Sequence, residues 1–202
     1  GERLHRAVGR VQGDQRGFAF RFDERSPMRF DWPRGFGLAH VFALRGSVAG
    51  WRDGARWTVA TPRLRLASRD VTATVRGGLS FDPGASPRID VVADLGDVPV
   101  VAAKGFWVRH LMAPAAVHWL DTALQGGTVH AGHAVVSGRL SDWPFVDVAS
   151  PQRLRGTGIF AATGQIRGAL LRFDAKWPAL DHVDADVAFV DGVRFVDDSK
   201  AT

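Results

Sequence analysis

Cysteine and tyrosine are absent from this chain, methionine occurs only twice, and lysine stands only at Lys104, Lys176 and Lys200. Without cysteine there is no disulfide framework and no thiolate to hold a metal or attack a substrate, so packing and hydrogen bonding alone must hold the fold together. No apolar run approaches the roughly 18 residues needed for a membrane-crossing helix. The start Gly1-Glu2-Arg3-Leu4 lacks the charged beginning and apolar middle of a secretory signal. The chain is therefore expected to be soluble as it stands or to have been cut from something larger.

What is present points to strands. The 202 residues are 46% hydrophobic, enough for a real core, and 23 glycines and 10 prolines accompany many Val, Phe and Thr residues. An all-helical fold is excluded. The net charge of +5 comes almost wholly from arginine and is mild for a chain of this length, so it makes a weak case for nucleic acid. Arg63, Arg65 and Arg69 read as a solvated strand face. Nucleic-acid binding would also want aromatics interleaved with basic residues, and three of the seven tryptophans here stand at Trp-Pro corners instead.

Strict alternation is the clearest local signal, because successive strand side chains point to opposite faces. Val71, Ala73, Val75, Leu79 and Phe81 oppose Thr72, Thr74, Arg76, Ser80 and Asp82. Phe18, Phe20 and Phe22 oppose Arg21 and Asp23, Ile89, Val91, Ala93 and Leu95 oppose Asp90 and Asp94, and Val183, Ala185, Val187 and Phe189 oppose Asp184 and Asp186. Further strands are expected over Leu38–Val48, Trp57–Leu66, Thr128–Leu140, Gly158–Arg167 and Ala169–Lys176, giving about ten in all. Asp53-Gly54, Gly77-Gly78, Asp82-Pro83-Gly84, Gly126-Gly127 and Asp191-Gly192 read as the turns between them. One helix is expected over Pro114–Gln125, with Val117, Leu120 and Leu124 in a stripe and two glycines to stop it.

That helix is too small to roof the sheet. A dozen helical residues cover on the order of 200 Å², whereas ten strands about 20 Å long and about 4.8 Å apart present nearly 1,000 Å² per face. The sheet must close on itself or curl into a trough, and closure is the commoner solution for all-β domains.

Catalytic constellations are missing. Gly156-Thr157-Gly158-Ile159-Phe160-Ala161 has the glycine spacing of a dinucleotide loop but precedes a strand instead of a helix. His130 and His133, three apart in a strand, are expected on opposite faces, where they cannot share a metal. Asp184 and Asp186 read as a solvated face, and no nucleophile, base and orienter stand together. The expectation is a non-enzyme with no cofactor and no metal.

Trp-Pro pairs occur at Trp32-Pro33, Trp143-Pro144 and Trp177-Pro178, where proline's missing donor ends or bends a strand. Their order adds to their chemistry. The run Ala113 to Gly127, with Trp119-Leu120, Ala123-Leu124 and Gly126-Gly127, leads into Gly138-Arg139-Leu140-Ser141-Asp142-Trp143-Pro144-Phe145 and then Phe173-Asp174-Ala175-Lys176-Trp177-Pro178-Ala179-Leu180. This succession resembles the YhdP family of AsmA-like proteins of Gram-negative envelopes, over about Leu111 to Val196 and more diffusely over Leu38 to Arg109. The resemblance implies a mainly β fold: a curved antiparallel sheet of roughly ten strands forming an open apolar groove, with one short helix. Residues 1–110 would be a β-rich groove segment, and residues 111–202 a helix and Trp-Pro strands continuing the same sheet. It further implies an excised piece of a periplasmic bridge, anchored in the inner membrane, that conducts phospholipids toward the outer membrane. Its partners would be phospholipids, neighbouring modules of the longer chain and membrane or envelope proteins. The alternation nominates Val71, Val75, Leu79, Phe81, Ile89, Val91, Val187 and Phe189 as the lipid-binding positions. The alternative is a closed β-sandwich with a dry core, serving as a structural or interaction module.

Overall fold

The computed structural model describes residues 8–31, 38–106, 114–147, 150–154, 156–174 and 176–190. Six strands come first: β1 (Gly9–Asp14), β2 (Gly17–Asp31), β3 (Ala39–Asp53), β4 (Arg56–Ala67), β5 (Thr72–Phe81) and β6 (Arg88–Leu95). A two-residue strand, β7 (Val98–Pro99), runs into a short helical insert of α1 (Val100–Ala103) and a 3-10 turn (Lys104–Phe106). Then follow α2 (Pro114–Ala123), β8 (Thr128–Arg139), a 3-10 turn (Leu140–Asp142), the small pair β9 (Val146–Asp147) and β10 (Ser150–Leu154), and the long strands β11 (Ile159–Leu171) and β12 (Leu180–Val190). All pairings are antiparallel, in the order β1-β2-β3-β4-β5-β6-β8-β11-β12, with β7 added beside β8. Strands from both sides of residue 110 thus share one sheet. Among the described residues no ladder joins β1 to β12, so the sheet is open rather than closed into a sandwich or barrel.

Local chemistry accounts for the hairpins. The Asp14 carboxylate accepts hydrogen bonds from the backbone N–H groups of Arg16 and Gly17, at 2.7 and 3.2 Å, and so closes the first turn. Gly54, at φ +59°, supplies the left-handed residue between β3 and β4. Asp82-Pro83-Gly84 turns β5 toward β6, with the Ala85 N–H donating to the Asp82 carbonyl.

Register carries one apolar face across the whole sheet, since directly paired residues share a face. Phe20 opposes Val48, Val59 opposes Leu79, and Leu79 opposes Ile89. Val91 opposes Val136, which opposes Phe160, while Ala162 opposes Phe189 and Gly164 opposes Val187. The other face carries Arg21, Arg45, Arg65, Thr74, Asp90, Asp94 and Asp186 in the same registers.

Several expectations need correction. Gly77-Gly78 is no turn but the middle of β5, where a Cβ on either residue would run into the backbone of the neighbouring strand. A bulge at Ala131, φ +48°, inserts one extra residue into β8, so His130 and His133 both fall on the polar face, opposite Gln165 and Thr163. The two strands expected over 158–167 and 169–176 are one strand, β11, broken by a bulge between Ile166 and Ala169, and residues beyond Leu171 form a turn. Strand β1, both 3-10 turns and α1 were not expected. Of the three Trp-Pro pairs, Trp32-Pro33 and the turn expected at Asp191-Gly192 lie outside the described residues. Trp143-Pro144, with a cis peptide bond, follows β8 at a corner. Trp177-Pro178 stands in the turn between β11 and β12, with Trp177 70% exposed instead of anchoring a core.

The core sits at one end of the apolar face, under the helices. α2 buries Val117 and Leu120 of the expected stripe, Leu124 is buried just after its end, and Val100, Leu120 and Leu124 pack with Ile166 and Ala169 of β11, flanked by Val129, Leu171 and Val183. The insert reaches in the other direction: the Phe106 ring lies 4.3 Å from that of His40 on β3 and 6.1 Å from that of Phe42. Lys104 ties it to α2 by donating to the Asp121 carbonyl. The Phe106 ring thus reaches over the apolar face from the insert beside β8 to β3, four strand spacings away in the sheet order.

Candidate functional site

The helical plug divides the apolar face into a sealed end and an open stretch. At the sealed end, Phe42 (8% exposed), Leu44 (1%), Val98 (0%) and Val100 (2%) are core. Beyond it, Val48, Val59, Val75, Leu79, Ile89, Val91 and Val136 line the concave face and all keep some exposure.

All eight positions nominated from alternation fall on this one face, in different settings. Val75, Leu79, Ile89 and Val91 stand together on β5 and β6 in the middle of the open stretch, with Leu79 directly opposite Ile89 and Val75 opposite Ala93. Phe81 ends β5 at the rim, 40% exposed, opposite Trp57. Val187 (37% exposed) and Phe189 are on β12, at the far edge of the sheet. Val71 is 6% exposed just before β5 and belongs to the sealed end.

A second aromatic feature lies on the β8–β11 side. Phe145, fully buried, lies over Gly138 and Gly158, where a Cβ at either position would strike its ring. Trp143 packs edge-on to Phe145 at 5.2 Å and to Phe160 at 5.6 Å, and Phe160 meets Phe189 at 5.3 Å. The corner after β8 thus folds back onto the apolar face and fills it there. It leaves the β3–β6 side as the broader open surface. Alternation could not reveal this, since Trp143 and Phe145 belong to no long strand. In the sequence the Trp143-Pro144 pair marks the bend, and Gly138 and Gly158 mark where the Phe145 ring lands.

The convex face is held by exposed charge pairs. Arg76 meets Asp94 at 2.6 Å, and His133 Nδ1 lies 2.8 Å from the other Asp94 oxygen. The His133 hydrogen bond and then the Arg76 charge hold the Asp94 carboxyl below its ordinary range, against an opposing effect of burial. Asp82 is lowered first by its hydrogen bond from Arg56. Burial raises Asp90, but hydrogen bonds from Ser137 and Arg88 outweigh it and leave the carboxyl lowered. His130 pairs separately with Asp97 at 2.8 Å. Among the described residues no group of three or more His, Asp or Glu side chains is placed to hold a metal ion. These pairs are surface partners along the sheet.

An open antiparallel sheet, curled toward one apolar face and charged on the other, defines a β-groove. The chain belongs to the YhdP family: the family model described as "YhdP protein" matches residues 3–192. Membership implies an AsmA-like protein of the bacterial envelope. No curated protein and no solved structure matches the chain. Among the described residues, no helix is long and apolar enough to cross a membrane.

Proposed function

We propose that this chain is a segment of a bridge-like protein whose groove binds phospholipid acyl chains and passes them between the inner and outer membranes. The observation that carries the reading is the concave stretch of β3–β6, which no described element covers and where Val, Leu and Ile side chains remain partly exposed on an otherwise well-paired sheet. An acyl chain laid there gains about 0.8 kcal/mol for each CH₂ it buries, while its headgroup stays in water at the mouth. Movement along such a surface is passive, because each step exchanges one set of dispersion contacts for an equivalent set. Periplasmic placement, an inner-membrane anchor elsewhere in a longer chain, and neighbouring modules that continue the groove belong to the same reading.

The test is site-specific photocrosslinking in cells. A photoreactive residue at Val75, Leu79 or Val91 should give a phospholipid adduct, and one at Thr74 or Val92, on the convex face, should not. Equal labelling on both faces, or none at the concave positions, would overturn the proposal.

A further inference from the structure

A single arginine interrupts the concave face of β3–β6, and it stands at the mouth. Of the inward positions that the registers assign to these strands, only His40, stacked on Phe106 at the sealed end, and Arg52, at the far end of β3, carry an ionisable group. Arg52 stands opposite Trp57, and Trp57 opposite Phe81, in the row just outside Gly50, Val59 and Leu79. Adjacent rows on one face are about 7 Å apart. An acyl chain lying on the Val59–Leu79 row therefore brings its polar end level with Arg52. A second arginine joins it there. The Arg52 N–H donates to the carbonyl of Arg16, in the turn between β1 and β2, at 2.9 Å, which sets the two residues side by side across the strands.

The chain braces this arginine and gives it no counter-charge. The Arg52 Nε donates to the Gly54 carbonyl at 2.7 Å, which ties the guanidinium to the hairpin turn and leaves its two terminal nitrogens to donate elsewhere. Arg16 and Arg52 are both exposed, and among the described residues neither meets a carboxylate. The nearby acids are engaged or turned away. Asp82 pairs with Arg56 at 2.6 Å, Asp14 accepts the N–H groups of its own turn, and Asp53, one residue beyond Arg52, falls on the convex side. Like charges directly opposite one another on a sheet repel. An oxyanion between them replaces that repulsion with charge-assisted hydrogen bonds.

We propose that Arg52, with Arg16 beside it, binds the headgroup phosphate of the phospholipid whose acyl chains lie in the groove, so that the tails point toward the helical plug. The inference rests on the groove reading and adds to it the residues that select cargo by headgroup. Three features favour a lipid phosphate. The arginine fork matches the geometry of phosphate oxygens. Trp57 and Phe81 continue the row with aromatic bodies at the level where a headgroup gives way to its chains. The aliphatic row directly inside them offers contacts that a free phosphate has no chains to use.

The test uses the full chain with a photoreactive residue at Leu79 and vesicles holding equal amounts of phosphatidylglycerol and of diacylglycerol with the same acyl chains, the adducts being counted by mass spectrometry. Phosphatidylglycerol adducts should exceed diacylglycerol adducts about tenfold, the scale of one charge-assisted hydrogen bond. Arg16→Gln/Arg52→Gln should bring the ratio close to one with the diacylglycerol adduct unchanged. Arg52→Lys, which keeps the charge and loses the fork, should fall between. Arg21→Gln, on the convex face, should behave like the parent, as should samples containing glycerol phosphate at the lipid concentration. Equal urea midpoints would establish that folding is not the cause. Equal adducts of the two lipids in the parent, or a double variant with the parental ratio, would overturn the headgroup site and leave the groove standing. Loss of the phosphatidylglycerol adduct to glycerol phosphate would also overturn it, assigning the arginines to a free phosphate. No adduct of either lipid would overturn the groove reading and the headgroup site together.

Discussion

Leu44→Asp and Val75→Asp would place the same carboxyl group on the same apolar face, on either side of the helical plug. Leu44 is 1% exposed under the sealed end. Replacing it loses about 2–3 kcal/mol of side-chain transfer free energy and leaves an unpartnered acid costing about another 1–3 kcal/mol. A total of roughly 3–6 kcal/mol is comparable to the whole stability of a marginal domain. Val75 is partly exposed on the open stretch, so its replacement costs about 1–2 kcal/mol of transfer free energy, and the new carboxylate keeps its water. Urea denaturation followed by circular dichroism gives both numbers as midpoint shifts. A pH series separates the two causes. Burial raises the folded-state pKa of an acid at position 44 above its unfolded value of about 3.9. The unfolded chain then binds fewer protons than the folded one between those values, so the Leu44→Asp deficit shrinks as pH falls from 7 toward 4. The Val75→Asp deficit should stay flat. If Val75→Asp is as damaging as Leu44→Asp and shows the same pH dependence, the groove is sealed in solution and the open-sheet account of it is wrong.

Two further outcomes follow from the strand geometry and the convex face. Gly77→Ala should cost more than about 2 kcal/mol, because Gly77 lies at φ +112° with the Asp90 backbone in the way of a Cβ. Gly54→Ala, at φ +59° with open space around it, should cost only about 1 kcal/mol, and thermal denaturation of the pair reads the difference. In a carbon-detected NMR titration the Asp94 carboxyl should titrate below the ordinary aspartate range, and His133→Ala should move its midpoint upward. Since the folded-state value is the depressed one, whatever Asp94 contributes to stability is present above the unfolded pKa and is lost as pH falls through the folded one.

The face, and the residues on it, were legible because alternation is a property of the strand itself. Val75, Leu79, Ile89 and Val91 needed no tertiary information to be sorted from Thr74, Arg76, Asp90 and Asp94. The helix was legible for the same reason, its stripe at Val117, Leu120 and Leu124 being bracketed by Pro114 and two glycines. What failed was anything that interrupts the period. His130 and His133 were assigned opposite faces by counting, and the extra residue at Ala131 puts them on one. Gly77-Gly78 carried a turn's composition into a place where the requirement is close approach of backbones. The insert Val100–Phe106 is too short to show a helical repeat, and its role depends on His40 and Phe42, some sixty residues earlier. Openness was not legible from the residues either. The area comparison demanded closure or curling and could not choose between them; the resemblance implied the open form that the sheet takes.

The bulges have a consequence for how such a chain tolerates changes in length. In β4 the inward residues fall at odd positions up to Thr61 and at even positions from Leu64. In β8 the change comes between Val129 and Ala134, in β11 between Ile166 and Ala169, and in β12 between Leu180 and Val183. Each bulge is a place where the strand already changes step. Adding or removing one residue in the middle of β5 or β6 would turn half of the strand inside out, presenting Thr74 and Asp94 to the groove. The same edit at a bulge need only move or erase an irregularity that the neighbouring strands already accommodate. Single-residue insertions and deletions in this sheet should therefore be survivable at these four short stretches and ruinous almost everywhere else along the strands.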